Sequence, residues 1–316
     1  MQNIPTVNDI EFMGKSVLIR GDFDVDSGSN PRADSIREIV KFLQSKNASK
    51  IKVVGHTETD YDLAAQLRSE FPGVEFDSRL RDNPGEKAND ENFAKELAGG
   101  WNIYINESFA TSHREHASIV GVPKQIKNSG GEVCLGLRFM KEIENLSKVF
   151  EDNKKPVIMV ISGIKEDKLS YINSFAKFAD KILIGGRLPD YKDKAESSLT
   201  QDQENKILWA DLIADREDTT IHSIEKFTAE IEKAGAIVVS GPLGKFEDEG
   251  HRQGTESIYK AVVANEHAFK VAGGGDTERA LQTTGTGEGF NWISVGGGAM
   301  LEFLANGTLP GIQAVL

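Results

Sequence analysis

Short runs rich in valine and isoleucine, most of them breaking off at a glycine and followed by an amphipathic segment, recur along this chain and restrict it to a parallel α/β fold. In the first half they are SVLIRGDF (16–23), IKVVGH (51–56) and IYINESF (103–109), with helix-like IREIVKFLQSK (36–46) and DLAAQLRSEF (62–71) between them. Apolar residues at Leu137, Met140, Ile143, Leu146 and Phe150 recur every three or four positions, predicting a helix over 132–150 that stops at the charged break EDNKKP. After Pro156 the strand pattern restarts with VIMVISG (157–163), KILIGG (181–186), AIVVSGP (236–242), FKVAGGG (269–275) and WISVGGG (292–298). A chain of 316 residues is long for one core, so the two halves are expected to be separate domains.

All five runs of the second half reach a glycine at or next to their last residue, and in open parallel sheets ligands bind outside the carboxyl ends of the strands. One such glycine is an ordinary turn; five at one sheet edge point to backbone amides that approach an anion. Neither a G-x-G-x-x-G fingerprint nor a G-x-x-x-x-G-K-[ST] loop is present, which counts against dinucleotide dehydrogenases and P-loop enzymes. No fixed-period repeat supports a solenoid or a propeller.

Thirty-seven Lys and Arg against 49 Asp and Glu leave a net charge of −12, which repels nucleic acid and anionic membranes. An anionic ligand must then be drawn by a local cluster of cations. Asp22 and Asp24, Arg32, His56 and Arg114 fall at or after strand ends and are candidates, because guanidinium forks hold phosphate and carboxylate bidentately. His113, Arg114 and His116 read equally well as a solvated loop. The single Cys134 excludes an internal disulfide, the polar start MQNIPTVNDIEF lacks the features of an export signal, and the uncharged stretch 304–316 is too short to span a bilayer. A cytoplasmic protein is expected.

The segment NESFATSHREHAS (106–118) closely resembles the NDAFGTAHRAHAS segment of phosphoglycerate kinases. In the same order as in that family, RGDFDVD (20–26) resembles RVDFNVP, LRDNPGEKAND (80–90) resembles LRFHPGEEKND, and FMKEIENLSKVFEDNKKP (139–156) resembles the interdomain helix. SGPLGKFE (240–247) resembles NGPMGVFE, GGGDT (273–277) is unchanged, and SVGGGAMLEFLANGTLPG (294–311) resembles the STGGGASLE…LPG ending. The weakest stretch is 187–235, where this chain has less room than the family's usual succession of helices and strands.

The resemblance implies two Rossmann-like parallel-sheet domains with a hinge and a cleft between them: a triose (3-phosphoglycerate)-binding domain over 1–150 and a nucleotide-binding domain over 151–300. The segment 301–316 is a candidate to return to the first domain. It further implies reversible phosphoryl transfer between 1,3-bisphosphoglycerate and Mg-ADP, in a monomer with small-molecule partners and no nucleic acid or membrane. Carried over position by position, Arg32, Lys165 and Gly275 would serve the transferring phosphoryl group. Asp22, Asp24, Arg32, His56, Arg114 and Lys155 would hold the triose. Gly163, Lys165, Lys168, Gly241, Glu247, Gly273, Gly274, Gly275, Asp276 and Thr277 would hold the nucleotide, with Asp276 as the Mg2+ ligand and ADP or ATP as co-substrate.

Several positions depart from the pattern. GHTETD (55–60) stands for SHLGRP, so that Thr59 replaces an arginine; Asp24 replaces an asparagine, and Lys155 an arginine. Ser162 replaces a glycine, Ser240 an asparagine and Val295 a threonine, while Lys165 and Lys168 are three residues apart instead of four. Arg37, about one helical turn beyond Arg32, is an alternative catalytic arginine. Two other readings follow from these changes: a binding or regulatory protein that keeps the fold without turnover, and a kinase of a different acyl phosphate.

Overall fold

The structure, a computed structural model, describes residues 4–197 and 199–316. The first three residues of the polar start and Ser198, inside the weakly matching stretch, lie outside them. The chain divides into two compact units, one running to Ile143 and taking in Thr308–Leu316, the other spanning Glu144–Gly307.

The N-terminal unit is built on a five-stranded sheet of β1 (Ser16–Arg20), β2 (Lys50–Val54), β3 (Glu75–Asp77), β4 (Ile103–Asn106) and β5 (Glu132–Leu135). The strands run parallel in the order β3-β2-β1-β4-β5. The helix Pro31–Ser45 shows how the sequence sets the packing. Asn30 caps its first turn by accepting from the Arg32 amide, Pro31 opens it, and Ile36, Ile39, Val40 and Leu43 turn inward at helical spacing. They meet Val17 and Ile19 of β1 and Val53 of β2 in one apolar cluster. The last segment joins this unit, with the Gly311 amide donating to the Ser112 carbonyl at 3.0 Å.

The C-terminal unit carries six parallel strands: β6 (Val157–Ile161), β7 (Lys181–Ile184), β8 (Ile207–Trp209), β9 (Ala236–Ser240), β10 (Phe269–Gly273) and β11 (Trp292–Ser294). Their order is β11-β10-β9-β6-β7-β8, a doubly wound sheet whose strand order reverses between β6 and β9. β6 and β9 are buried at every residue, as unbroken apolar runs require when helices cover both faces.

The expected helix over 132–150 is corrected. Glu132–Leu135 is strand β5, the helix proper is Leu137–Ser147, and Lys148–Phe150 is a short 3-10 turn. The three-four spacing starts only at Leu137, beyond Gly136, and the EVCL run before it is a short buried strand. β3 and β8, also unforeseen, are three-residue edge strands too short to show a period.

At the end of β4, Glu107 is fully buried. One carboxylate oxygen accepts from the Ser35 hydroxyl at 2.6 Å and the Arg138 amide at 2.9 Å, while the other has no hydrogen-bond partner. Burial pushes its pKa up to about 8. A carboxyl raised in the folded state contributes stability that is fully present below its unfolded pKa of about 4.3 and is lost as pH rises through the folded value. Glu107→Gln is therefore expected to flatten the decline in Tm between pH 5 and 8.5. An unchanged Tm-against-pH profile would remove Glu107 as its source.

Candidate active site

In the N-terminal unit the carboxyl ends of β1 and β2 and the loop after β4 bring a group of cations together. Arg20, the last residue of β1, is fully buried: its Nε donates to the Ser118 hydroxyl at 2.9 Å and its Nη2 to Nδ1 of His56 at 2.9 Å. An arginine can only donate, so His56 accepts at Nδ1 and carries its proton on Nε2. Burial first, then the charges of Arg20, Arg81 and Arg114, hold the His56 pKa down to about 2, and the ring is neutral. His116 is lowered to about 4, again chiefly by burial, against the opposing pull of Glu86, whose carboxylate oxygen lies 3.7 Å from its Nδ1. Glu86 is itself buried and accepts from the Ser118 amide and hydroxyl at 2.9 and 2.6 Å.

Arg32 leans on the same site from the first turn of its helix. Its Nη1 donates to the Asp24 carbonyl at 3.0 Å and lies 3.5 Å from the Asp22 carboxylate. The Asp24 carboxylate in turn accepts from the Glu58 amide at 2.9 Å. Arg37 is engaged elsewhere: Glu70 holds it at 2.7 and 2.9 Å, Asp34 at 3.0 Å, and the Gly28 carbonyl accepts from it at 2.8 Å. Thr59, in the position expected to be arginine, donates its hydroxyl to the Val25 carbonyl at 2.6 Å and so pins the loop. Arg114 is exposed and close enough to oppose protonation of His56, His116 and Arg81.

Arg81, from the LRDNPGE segment, belongs to this group, although it is not among the candidates the sequence singles out. Burial and the neighbouring Arg114 lower its pKa, and Glu58 pairs with its guanidinium. Lys155 is an exposed residue of the C-terminal unit, in extended backbone just before β6. A groove of about 740 Å3 in the N-terminal unit is lined by Lys50, Glu75 and Trp101 beside β2 and the edge strand β3, with cations and carboxylates intermixed.

In the C-terminal unit a cavity of about 570 Å3 opens beyond the strand ends, lined by Gly163, Gly186, Leu243, Phe246, Glu247 and Asp276 among others. That volume is in the range of small-molecule sites. Lys168 sits where the strand order reverses: its Nζ donates to the carbonyls of Ser162, after β6, at 2.6 Å and of Ser240, the end of β9, at 3.1 Å. Desolvation lowers its pKa to about 8, against the pull of Asp276 and Asp167. The close approach needs glycine at 241, where φ is +102° and a Cβ would lie 2.0 Å from the Ser162 carbonyl oxygen. Lys165 is exposed, with no ion pair among the described residues.

Gly273 ends β10, Gly274 has a φ of +112°, and Gly275 opens the helix Gly275–Thr284 with open space at its Cβ position. The amides of that first turn face a site an anion can enter. Thr277 is turned inward instead: its hydroxyl donates to the Gly273 carbonyl at 2.9 Å and accepts from the Gly241 amide at 2.8 Å, locking two strand ends together. Ser162, in place of glycine, donates to the Pro242 carbonyl at 2.6 Å, a second such lock. Asp276 is exposed on the cavity rim, paired with Arg279. Among the described residues no group of three His, Cys, Asp or Glu forms a metal cage. A lone rim carboxylate fits a Mg2+ ion that arrives on phosphate oxygens, since that ion is bound through one or two carboxylates plus phosphates.

A family model described as phosphoglycerate kinase matches residues 28–205 and 189–307. The chain is 28% identical over 412 residues to the phosphoglycerate kinase of Mycoplasmoides gallisepticum, covering 99% of this chain and 98% of that one. To the phosphoglycerate kinase of Dictyoglomus turgidum it is 31% identical over 396 residues, with the same coverage. Both alignments are longer than this 316-residue chain because they skip segments that the relatives possess. Among solved structures it is similar to phosphoglycerate kinase from Coxiella burnetii, with a TM-score of 0.82 and 22% identity over 99% of this chain and 98% of that one. Phosphoglycerate kinase from Pyrococcus horikoshii gives a TM-score of 0.80 and 23% identity at the same coverage.

Proposed function

The chain belongs to the phosphoglycerate kinase family, and from that premise we propose that its two units divide one phosphoryl transfer between them. The enzyme is a phosphotransferase that exchanges a phosphoryl group between 1,3-bisphosphoglycerate and ADP, giving 3-phosphoglycerate and ATP. The N-terminal unit holds the triose through Arg32, His56, Arg81 and Arg114, and the C-terminal unit holds the nucleotide in its strand-end cavity. The observation that carries this reading is the cation group around neutral His56: a small polyanion is the ligand such a group fits.

In the forward direction an oxygen of the ADP terminal phosphate forms the new bond to phosphorus while the bond from phosphorus to the carboxylate oxygen breaks. The leaving carboxylate needs no proton, so no general acid is required, which suits a site whose His56 is neutral and held in position by Arg20. The protein's task is alignment and charge neutralisation. Arg32 from the one unit and Lys165 from the other would serve the transferring group once both substrates are bound, the amides of Gly274 and Gly275 would receive phosphate oxygens, and Glu247 would take the ribose hydroxyls. Mg2+, held through Asp276 and the nucleotide phosphates, would withdraw charge from those oxygens. Transfer requires the two loaded units to come together, the hinge motion of the family resemblance. A cytoplasmic monomer that binds neither nucleic acid nor membrane completes the reading; the net charge of −12, which repels nucleic acid and anionic membranes, supports the last two parts of it.

The relatives do not favour a binding protein without turnover. A coupled assay of ATP formation from 1,3-bisphosphoglycerate and ADP is expected to show Mg2+-dependent turnover that saturates in both substrates. Binding of ADP without any turnover would return the regulatory reading.

A further inference from the structure

The loop 57–60 carries an acid into the anion site. Glu58 pairs through Oε1 with Nη1 of Arg81, and the exposures are unequal: the Glu58 side chain is 63% exposed, that of Arg81 only 13%. The acid is held there. Its amide donates to the Asp24 carboxylate at 2.9 Å, Thr59 bonds the Val25 carbonyl at 2.6 Å, and the Thr57 and Thr59 hydroxyls lie 3.0 Å apart. The guanidinium most desolvated among the ligand-facing arginines is thus covered by a carboxylate belonging to the protein, and Asp24 adds a second negative charge nearby.

We propose that Glu58 is a specificity-determining gate: its carboxylate occupies the Arg81 fork, and an anionic group of the substrate must displace it to bind. This rests on the triose reading of the N-terminal site given above. Only the Glu58 half of the pair is exposed, so water competes for its carboxylate, and a phosphate or carboxylate that makes two charge-assisted bonds to the fork can win the exchange. Because the displaced acid stays on a pinned loop beside the incoming anion, it also repels it. The gate selects for ligands with enough negative charge to pay that penalty, and it raises the concentration of phosphoglycerate needed for half-occupancy.

Calorimetric titration of the full chain with 3-phosphoglycerate tests the proposal, using wild type, Glu58→Gln, Arg81→Ala and the double variant, with the thermal unfolding curve of each as the control for folding and ADP binding as the control for the C-terminal unit. Glu58→Gln is expected to bind 3-phosphoglycerate about tenfold more tightly, the loss of one charged competitor. In the Arg81→Ala background the same change should give less than about threefold, because the fork it blocked is gone. Glu58→Asp should remain close to wild type. Equal affinities in wild type and Glu58→Gln would overturn the gate, and so would an equal gain in both backgrounds, which means bulk charge rather than competition for Arg81. If ADP binds normally but no variant binds 3-phosphoglycerate at millimolar concentration, the triose reading itself falls, and the gate with it.

Discussion

Arg32→Ala is expected to lower kcat by about 10²- to 10³-fold while leaving ADP affinity within about twofold, the range seen when one preorganised donor to developing charge is removed. The side chain is held from below, by the Asp24 carbonyl at 3.0 Å and the Asp22 carboxylate at 3.5 Å, and it keeps 24% of its surface exposed. An arginine supported in this way is preorganised, since its supports fix the fork before any ligand arrives. The loss should fall mainly on kcat, with a smaller change in KM, because the interaction grows as charge gathers on the transferring oxygens. Arg37→Ala is the internal control. Its guanidinium is committed to Glu70, Asp34 and the Gly28 carbonyl, so its removal should lower Tm and spare turnover. The opposite pattern, with turnover lost in Arg37→Ala and kept in Arg32→Ala, would reassign the catalytic arginine.

The choice between these two arginines illustrates what was legible in the sequence. Spacing placed both on one helix, but only the tertiary partners tell them apart: Glu70 reaches Arg37 from 33 residues away. The strands of the C-terminal sheet could be read because they are buried on both faces and must be continuous apolar runs. β5 could not be separated from the helix behind it, because four apolar-rich residues before Gly136 carry no period of their own. In the site, Arg81 and Glu58 carry no signal in the sequence, for different reasons. Arg81 lies inside the LRDNPGE segment, where nothing in the spacing sets its arginine apart; Glu58 lies in GHTETD, where one acid on a polar loop has no pattern of its own. The inward turn of Thr277 had no signal at all, since a threonine after Gly-Gly-Gly-Asp reads as a ligand group until its two backbone partners are seen.

Lys165→Ala is the second substitution with a large expected effect, a fall in kcat of about 10³-fold with Tm unchanged, and it is best measured beside Lys168→Met. The two lysines lie three residues apart on one short segment and answer to different physics. Lys165 is exposed and unpaired among the described residues, so its ammonium is available to a transferring phosphoryl group and its loss leaves nothing buried without a partner. Lys168 gives two of its three donors to the Ser162 and Ser240 carbonyls, and removing it strips a partner from a buried acceptor, at a cost of about 1–3 kcal/mol. Lys168→Met should therefore lower Tm and weaken ADP binding together, whereas Lys165→Ala should separate turnover from stability. The pH dependence gives an independent check. Burial sets the Lys168 pKa at about 8, so its positive charge fades as pH rises through that value, and ADP affinity in the wild type should weaken between pH 7 and 9. In Lys168→Met that weakening should disappear, while in Lys165→Ala it should persist. A Lys165→Ala enzyme with unaltered kcat, or a pH profile of ADP binding that survives in Lys168→Met, would show that the shortened spacing has moved these charges to other work.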